Sequence, residues 1–238
     1  MEAQLVLTCE HAGNRVPERY TDVFRNDAPV LETHRGYDIG ALELTQAIAE
    51  ACEVEPHLHT VTRLLVDLNR SLHNPTAFSE YVRDFEQEDR SELVRRYYHP
   101  HRNRVEEIIR SLLARGEQVL HLSVHTFTPV MRGEERQADA GLLFDPSRAL
   151  EKDFCRAWKA SILRKRPELR VRYNYPYRGT MDGFSTALRR RYGPAEYMGV
   201  ELEVNQKFPQ QGDPAGWKKL REDMGQSLKE ALRNELDS

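Results

Sequence analysis

The sequence predicts an α/β fold built on a largely parallel sheet. Two observations carry this expectation. Short apolar runs alternate with longer segments of helical period along most of the chain, the pattern of strands joined by helical crossovers. Four of those runs also end in reactive side chains: Glu10-His11, Asp67-Asn69-Arg70, His125, and the pair Glu201 and Glu203. In a parallel sheet such ends gather along one edge, where ligands bind.

Composition bounds the function. The 238 residues suffice for one large domain or two small ones. The formal net charge of -3 creates no field that would draw the chain to nucleic acid or membrane. Charged residues make up 31%, which predicts a well-solvated surface. Cys9, Cys52 and Cys155 are too scattered for a disulfide framework or a zinc finger, so a reducing compartment is expected. No signal peptide precedes Leu5 and no apolar run reaches membrane-spanning length, so the expected location is cytoplasmic.

Gln4 to Thr8 reads as a first, central strand that runs into Glu10 and His11, with Gly13 and Pro17 marking loop. From Val30 to Cys52 a helical period appears in Ile39, Leu42, Ala47, Ile48 and Ala51. Asp38 stands at its expected start, where a carboxylate either caps the helix or binds a metal. His34, just upstream, is a substitute candidate. Thr60 to Leu68 reads as the next strand, ending in Asp67-Leu68-Asn69-Arg70. Arg70 offers a bidentate fork for a carboxylate, and Asn69 both a donor and an acceptor. Arg63, inside that run, needs a salt-bridge partner or a ligand.

Residues 76 to 118 are polar and mostly helical. Their basic-aromatic cluster from Arg95 to Arg104 reads as the solvated start of a helix rather than a nucleic-acid footprint. His99 and His101 within it are weak metal candidates. Val119 to Val124 is a buried strand leading to His125, followed by small polar residues and Pro129. A polar loop holding Arg136 precedes a strand at Ala140–Asp145, a helix at Ser147–Arg166 and a short strand at Val171–Tyr173. The loop from Asn174 to Gly183, which carries Arg178, suits a small molecule. A short helix from Phe184 to Tyr192 follows. In the strand Met198–Val204, Glu201 and Glu203 share one face and Val200, Leu202 and Val204 the other. Two carboxylates on a central strand are costly unless they line a site; the alternative is an edge strand with a solvent-facing acidic side. An amphipathic helix from Pro214 to Leu236 ends the chain.

Two His and a carboxylate suit Zn²⁺ with an open position for water. A further Glu suits the general base that takes the water's proton. Arg and Asn groups suit an anionic substrate. The residues alone thus describe a zinc hydrolase acting on a carboxylate-bearing small molecule.

The ordered set Cys-Glu-His11-Ala-Gly-Asn, Tyr-Asp38-Ile-Gly-Ala, Val-Asp67-Leu-Asn69-Arg70-Ser, Ser-Val-His125-Thr-Phe-Thr-Pro, Arg136-Gln-Ala-Asp139-Ala-Gly-Leu-Leu, Asn174-Tyr-Pro-Tyr-Arg-Gly and Val-Glu201-Leu-Glu203-Val-Asn-Gln resembles the N-formylglutamate amidohydrolase family nearly end to end. The resemblance implies one domain over 1–238. It also implies a three-layer α/β/α fold of the phosphorylase/hydrolase-like kind, with a mostly parallel mixed sheet. By resemblance His11 and His125 are the metal imidazoles. Related aspartoacylase-like enzymes place a Glu three residues after the first His, and here that position is Asn14. Asp38 is therefore expected as the third ligand, with Glu10 the alternative. Asn69 and Arg70 match the motif that holds a substrate carboxylate, accompanied by Arg63, with Arg136 and Arg178 as further candidates. Glu203 matches the catalytic Glu. The implied activity is zinc-dependent cleavage of the amide of an N-acyl amino acid, N-formyl above all, such as N-formyl-L-glutamate. Other zinc amidases and a silent metal-binding module are the alternatives. A small anionic substrate is the expected partner, with no nucleic acid and no membrane.

Overall fold

A computed structural model describes residues 3–234 of the chain. Strand β1 (Gln4–Cys9) opens it, and two short 3-10 segments lead to helix α1 (Ala41–Cys52) and a two-residue strand β2 (His57–Leu58). After a run of turns, α2 (Gln87–Leu93) passes through a wide turn into α3 (His99–Ala114). β3 (Val119–Phe127) precedes a small hairpin of β4 (Val130–Met131) and β5 (Glu134–Glu135). β6 (Ala140–Leu143), α4 (Ala149–Lys165), β7 (Val171–Tyr173) and α5 (Phe184–Arg189) follow. β8 (Tyr197–Asn205), the short α6 (Lys207–Gln210) and α7 (Pro214–Asn234) complete the chain.

The strands form a six-stranded sheet in the order β2-β1-β3-β8-β6-β7. The pairs β2/β1, β1/β3 and β3/β8 are parallel, whereas β6 runs antiparallel to β8. The sheet is thus mixed and mostly parallel, as expected. Alternation sorts its two faces. Leu7, Leu122, Val124 and Leu202 point into one cluster with Leu44 and Ile48 of α1, Trp158 of α4 and Met224 of α7. Val6, Val119 and Tyr197 face the other way, against Val105 and Ile109 of α3 and Phe184 and Leu188 of α5. Trp158 is wholly buried and its Nε1–H donates to Ser227 Oγ at 3.0 Å, tying α4 to α7. Truncating such a residue to Ala costs about 3–5 kcal/mol.

Two expected elements differ. α1 begins at Ala41, not at the expected start Asp38, and the helical period read from Val30 is helix only from Ala41 on. Gly40 adopts φ +86, and a Cβ there would stand 2.8 Å from Pro209 Cγ. That left-handed residue separates the helix from the loop before it, so Asp38 lies three residues ahead of the helix. Thr60–Leu68 is not a strand: only Arg15 and Val61 form an isolated bridge. Thr62 instead donates its hydroxyl to Gly36 O and accepts Leu65 N–H in a turn. Val61, Leu64, Leu65 and Leu68 bury into a local cluster with Tyr20, Phe24, Leu93 and Tyr98. A continuous apolar run can be buried on all sides without pairing. The expected end of α7 at Leu236 lies outside the described residues.

Candidate metal centre and active site

Side chains on the α3 face of the sheet become polar toward the carboxyl ends of β1, β3 and β8. Ser123 and His125 alternate with Leu122 and Val124. Glu201 and Glu203 occupy the positions paired with Ser123 and His125. Glu10 and His11 follow the last residue of β1. Asp38 reaches the same place because its backbone N–H donates to His11 O at 3.0 Å.

There His11 Nδ1 lies 3.3 Å and His125 Nδ1 2.8 Å from one oxygen, Asp38 Oδ2. All three residues are buried, and one donor atom from each lies within 4.8 Å of the others. Bonds of about 2.0–2.2 Å would place tetrahedral ligands roughly 3.3 Å apart, so this nitrogen–nitrogen–oxygen set fits a small divalent cation such as zinc. Glu10 is not part of the set. Its carboxylate is buried beside Ser123 and accepts that hydroxyl at 2.5 Å. Asn14 turns away, donating to Leu31 O.

The far nitrogen of His11 is held too. Its Nε2–H donates to Asp67 Oδ1 at 2.8 Å. Asp67 is fixed in turn by Asn69 N–H at 2.9 Å and by Arg63, whose Nη2 lies 2.6 Å away. Arg63 also reaches Asp38 Oδ1 at 3.2 Å. The expected role of Arg63 toward a substrate is therefore accompanied by a structural one, since it clamps two carboxylates of the site. The part of Asp67 was not legible in the sequence; its position two residues before Asn69 was the available signal.

Burial would raise Asp38, but the His11 and His125 imidazoles and the Arg63 guanidinium hold it well below the usual carboxylate range. Asp67 is held low against the same burial by Arg63 and His11. His125 is raised well above the ordinary imidazole value because Asp38 and Glu10 outweigh its burial. Glu203 behaves oppositely: burial pushes its carboxyl up to about 8. Its Oε2 has no hydrogen-bond partner among the described residues.

Glu203 faces a small cavity of about 80 Å³, which Asp38, Asn69, Arg70, His125 and Arg178 also line. Gly141, opposite Glu203 on β6, lets the next loop close over it, since a Cβ there would collide with Tyr175 O at 1.8 Å. Asn174 pins that loop by accepting Phe144 N–H and Gly179 N–H. Arg178, carried on it, is exposed and makes no side-chain ion pair or hydrogen bond among the described residues. Arg70 donates to Asp182 O at 2.6 Å. Arg136 stands further out, donating to Tyr177 Oη at 3.0 Å. Arg63, Arg70 and Tyr177 also border a second, wider cavity of about 470 Å³, with Arg35 and Arg83 on its wall. His34 lines it too, but is not among the three clustered residues.

The basic run from Arg95 is internally engaged. Arg95 and Arg96 both pair with Glu92, Arg104 pairs with Glu107, and Arg102 donates to Leu68 O. No helix among the described residues is long and apolar enough to cross a membrane.

Comparison with known proteins agrees with this architecture. The structure of gene product Atu2144 from Agrobacterium tumefaciens superposes with a TM-score of 0.83 at 25% identity, covering 100% of this chain and 93% of that one. N-formylglutamate amidohydrolase from Ralstonia eutropha JMP134 superposes with a TM-score of 0.68 at 18% identity, covering 100% of this chain and 96% of that one, which shows the shared fold. No curated protein matches in sequence. The sequence profile of the N-formylglutamate amidohydrolases matches residues 3–208, and the chain belongs to that family.

Proposed function

We propose that the protein is a zinc-dependent amidohydrolase that removes a short acyl group, formyl above all, from an acidic amino acid such as N-formyl-L-glutamate. The observation that carries this reading is the pairing of two features. His11, Asp38 and His125 converge as a three-ligand set, and Glu203 borders the same cavity with an unpartnered oxygen. Those three residues would hold a zinc ion, which when bound would supply an activated water near neutral pH. Glu203 stands ready to accept a proton and later deliver it to the departing nitrogen. A cation held beside it would favour its carboxylate form.

The cavities support the substrate class. The inner one has room for only a few waters, which matches a one- or two-carbon acyl group. The outer one is bordered by Arg35, Arg63, Arg70 and Arg83, and guanidinium forks suit carboxylates. Arg178 adds a guanidinium with no side-chain partner among the described residues. Engagement of Arg95, Arg96, Arg102 and Arg104 within the protein supports a small-molecule substrate over nucleic acid.

A hydrolysis screen across N-formyl, N-acetyl and N-succinyl amino acids, with and without chelator, tests the proposal. The expected result is chelator-sensitive formate release that is fastest for N-formyl acidic amino acids. Turnover unaffected by complete metal removal, or no turnover of any N-acyl amino acid by the zinc-loaded protein, would overturn it.

A further inference from the structure

His125 carries a constraint that reaches beyond the metal ligands. If Nδ1 is the ligand atom, its lone pair is used and Nε2 must carry the ring proton. That N–H then needs an acceptor. Three atoms lie near Nε2: Ser123 Oγ at 2.8 Å, Asn69 Nδ2 at 3.2 Å and Glu10 Oε2 at 3.4 Å. Asn69 does not serve. Its Oδ1 accepts Phe184 N–H at 2.7 Å, so the amide presents its donor side to the ring. Ser123 Oγ is the nearest acceptor, and its own proton goes to Glu10 Oε2 at 2.5 Å. The direction of the chain follows: His125 donates to Ser123, and Ser123 donates to Glu10.

Glu10 is 1% exposed, and its second oxygen, Oε1, accepts no hydrogen bond among the described residues. That oxygen lies 3.6 Å from His101 Nε2 on α3, which also lacks a hydrogen-bond partner. His11 has a direct carboxylate partner in Asp67. His125 has its carboxylate one hydroxyl away.

We propose that Ser123 and Glu10, backed by His101, are positioning residues of the metal centre, which fix the ring and tautomer of His125 so that Nδ1 faces the ion. This rests on the metal reading above. Carboxylates behind metal-bound imidazoles orient the ring, and their loss weakens metal binding by about 10–100-fold. Neither Ser123 nor His101 touches the cavity where substrate would bind. Their effect should therefore appear in metal affinity rather than KM.

The test is zinc affinity, measured by competition with a chromophoric chelator on folded, metal-free protein. Ser123→Ala removes one buried hydroxyl and leaves the packing volume nearly intact. It should weaken zinc binding by about 10–100-fold with an unchanged circular dichroism spectrum, and Ser123→Thr should restore the affinity. Glu10→Gln should also weaken zinc binding. His101→Phe should do so less than either, with His101→Gln closer to the parent. The proposal is overturned if Ser123→Ala binds zinc within about twofold of the parent. It is equally overturned if Ser123→Thr is as impaired as Ser123→Ala. A parent protein that binds no zinc would sink the metal reading itself, a result distinct from equal affinities in parent and variants.

Discussion

His125 and Glu203 stand directly opposite each other in the register of β3 and β8, and both line the inner cavity. One pair of adjacent parallel strands thus brings a metal-type imidazole and an unpartnered carboxyl to the same wall. Glu201 pairs with Ser123 one pleat further back, about 7 Å along the strand.

That spacing separates the two acids functionally. Glu203→Gln should retain zinc and fold but lose on the order of 10²–10⁴ in kcat. Glu201→Gln should lose much less. Steady-state kinetics of both variants at matched zinc content check this, and an inactive Glu201→Gln with a fully active Glu203→Gln would reverse the assignment.

Stability of the metal-free protein should depend on pH through Glu203. Its carboxyl is raised to about 8 in the fold, from an ordinary value of 4.5. Between those values the folded state holds a proton that the unfolded state releases, so this group costs more stability as pH rises from 4.5 to 8, and levels off above. Glu203→Gln removes the cost. Its melting temperature should exceed the parent's by several degrees at pH 9 and converge with it near pH 4, since 1 kcal/mol moves Tm by about 2–4 °C in a chain of this size. Thermal melts of both metal-free proteins across that range would show a constant difference if Glu203 were solvated.

Zinc binding should release protons. In the metal-free fold, Asp38 and Glu10 hold His125 protonated well above the ordinary imidazole value. A metal must displace that proton, so apparent affinity should rise about tenfold per pH unit near neutrality for one released proton. Calorimetry in buffers of different ionisation heat measures the number directly. No buffer dependence would mean that His125 is not a ligand.

How much of this was legible beforehand depends on how local the information is. Strand alternation and strand ends place His11, His125, Glu201 and Glu203 from sequence periodicity alone, and those positions coincide with the observed sheet. The turn at Thr60–Leu68 was not legible, because burial within a cluster around Tyr20 and Phe24 mimics the apolar run of a central strand. Asp67 was read only as one of the reactive run ends, without a role, and Ser123 was not assigned to the site. Their parts follow from which ring nitrogen of His11 and His125 faces Asp38, a tertiary fact with no sequence period. Arg63 was readable as needing an acidic partner or a ligand, but not as a clamp on both Asp38 and Asp67.

Substrate charge should be read mainly by Arg70 and Arg178. Arg70→Lys replaces a planar fork with a point charge, and Arg178→Ala removes a guanidinium that pairs with no side chain among the described residues. Each should raise KM for N-formyl-L-glutamate roughly 10–100-fold, the scale of one charge-assisted hydrogen bond, while zinc content stays at the parent level. Unaltered KM in both would place the carboxylate site elsewhere.

The central claim is that His11, Asp38 and His125 hold the metal. An anomalous difference map from a zinc-loaded crystal, collected on both sides of the zinc absorption edge, tests it most directly. One strong peak is expected at bonding distance from His11 Nδ1, His125 Nδ1 and an Asp38 carboxylate oxygen. A peak bonded to Glu10 instead of Asp38, or no peak between the two histidines, would contradict it.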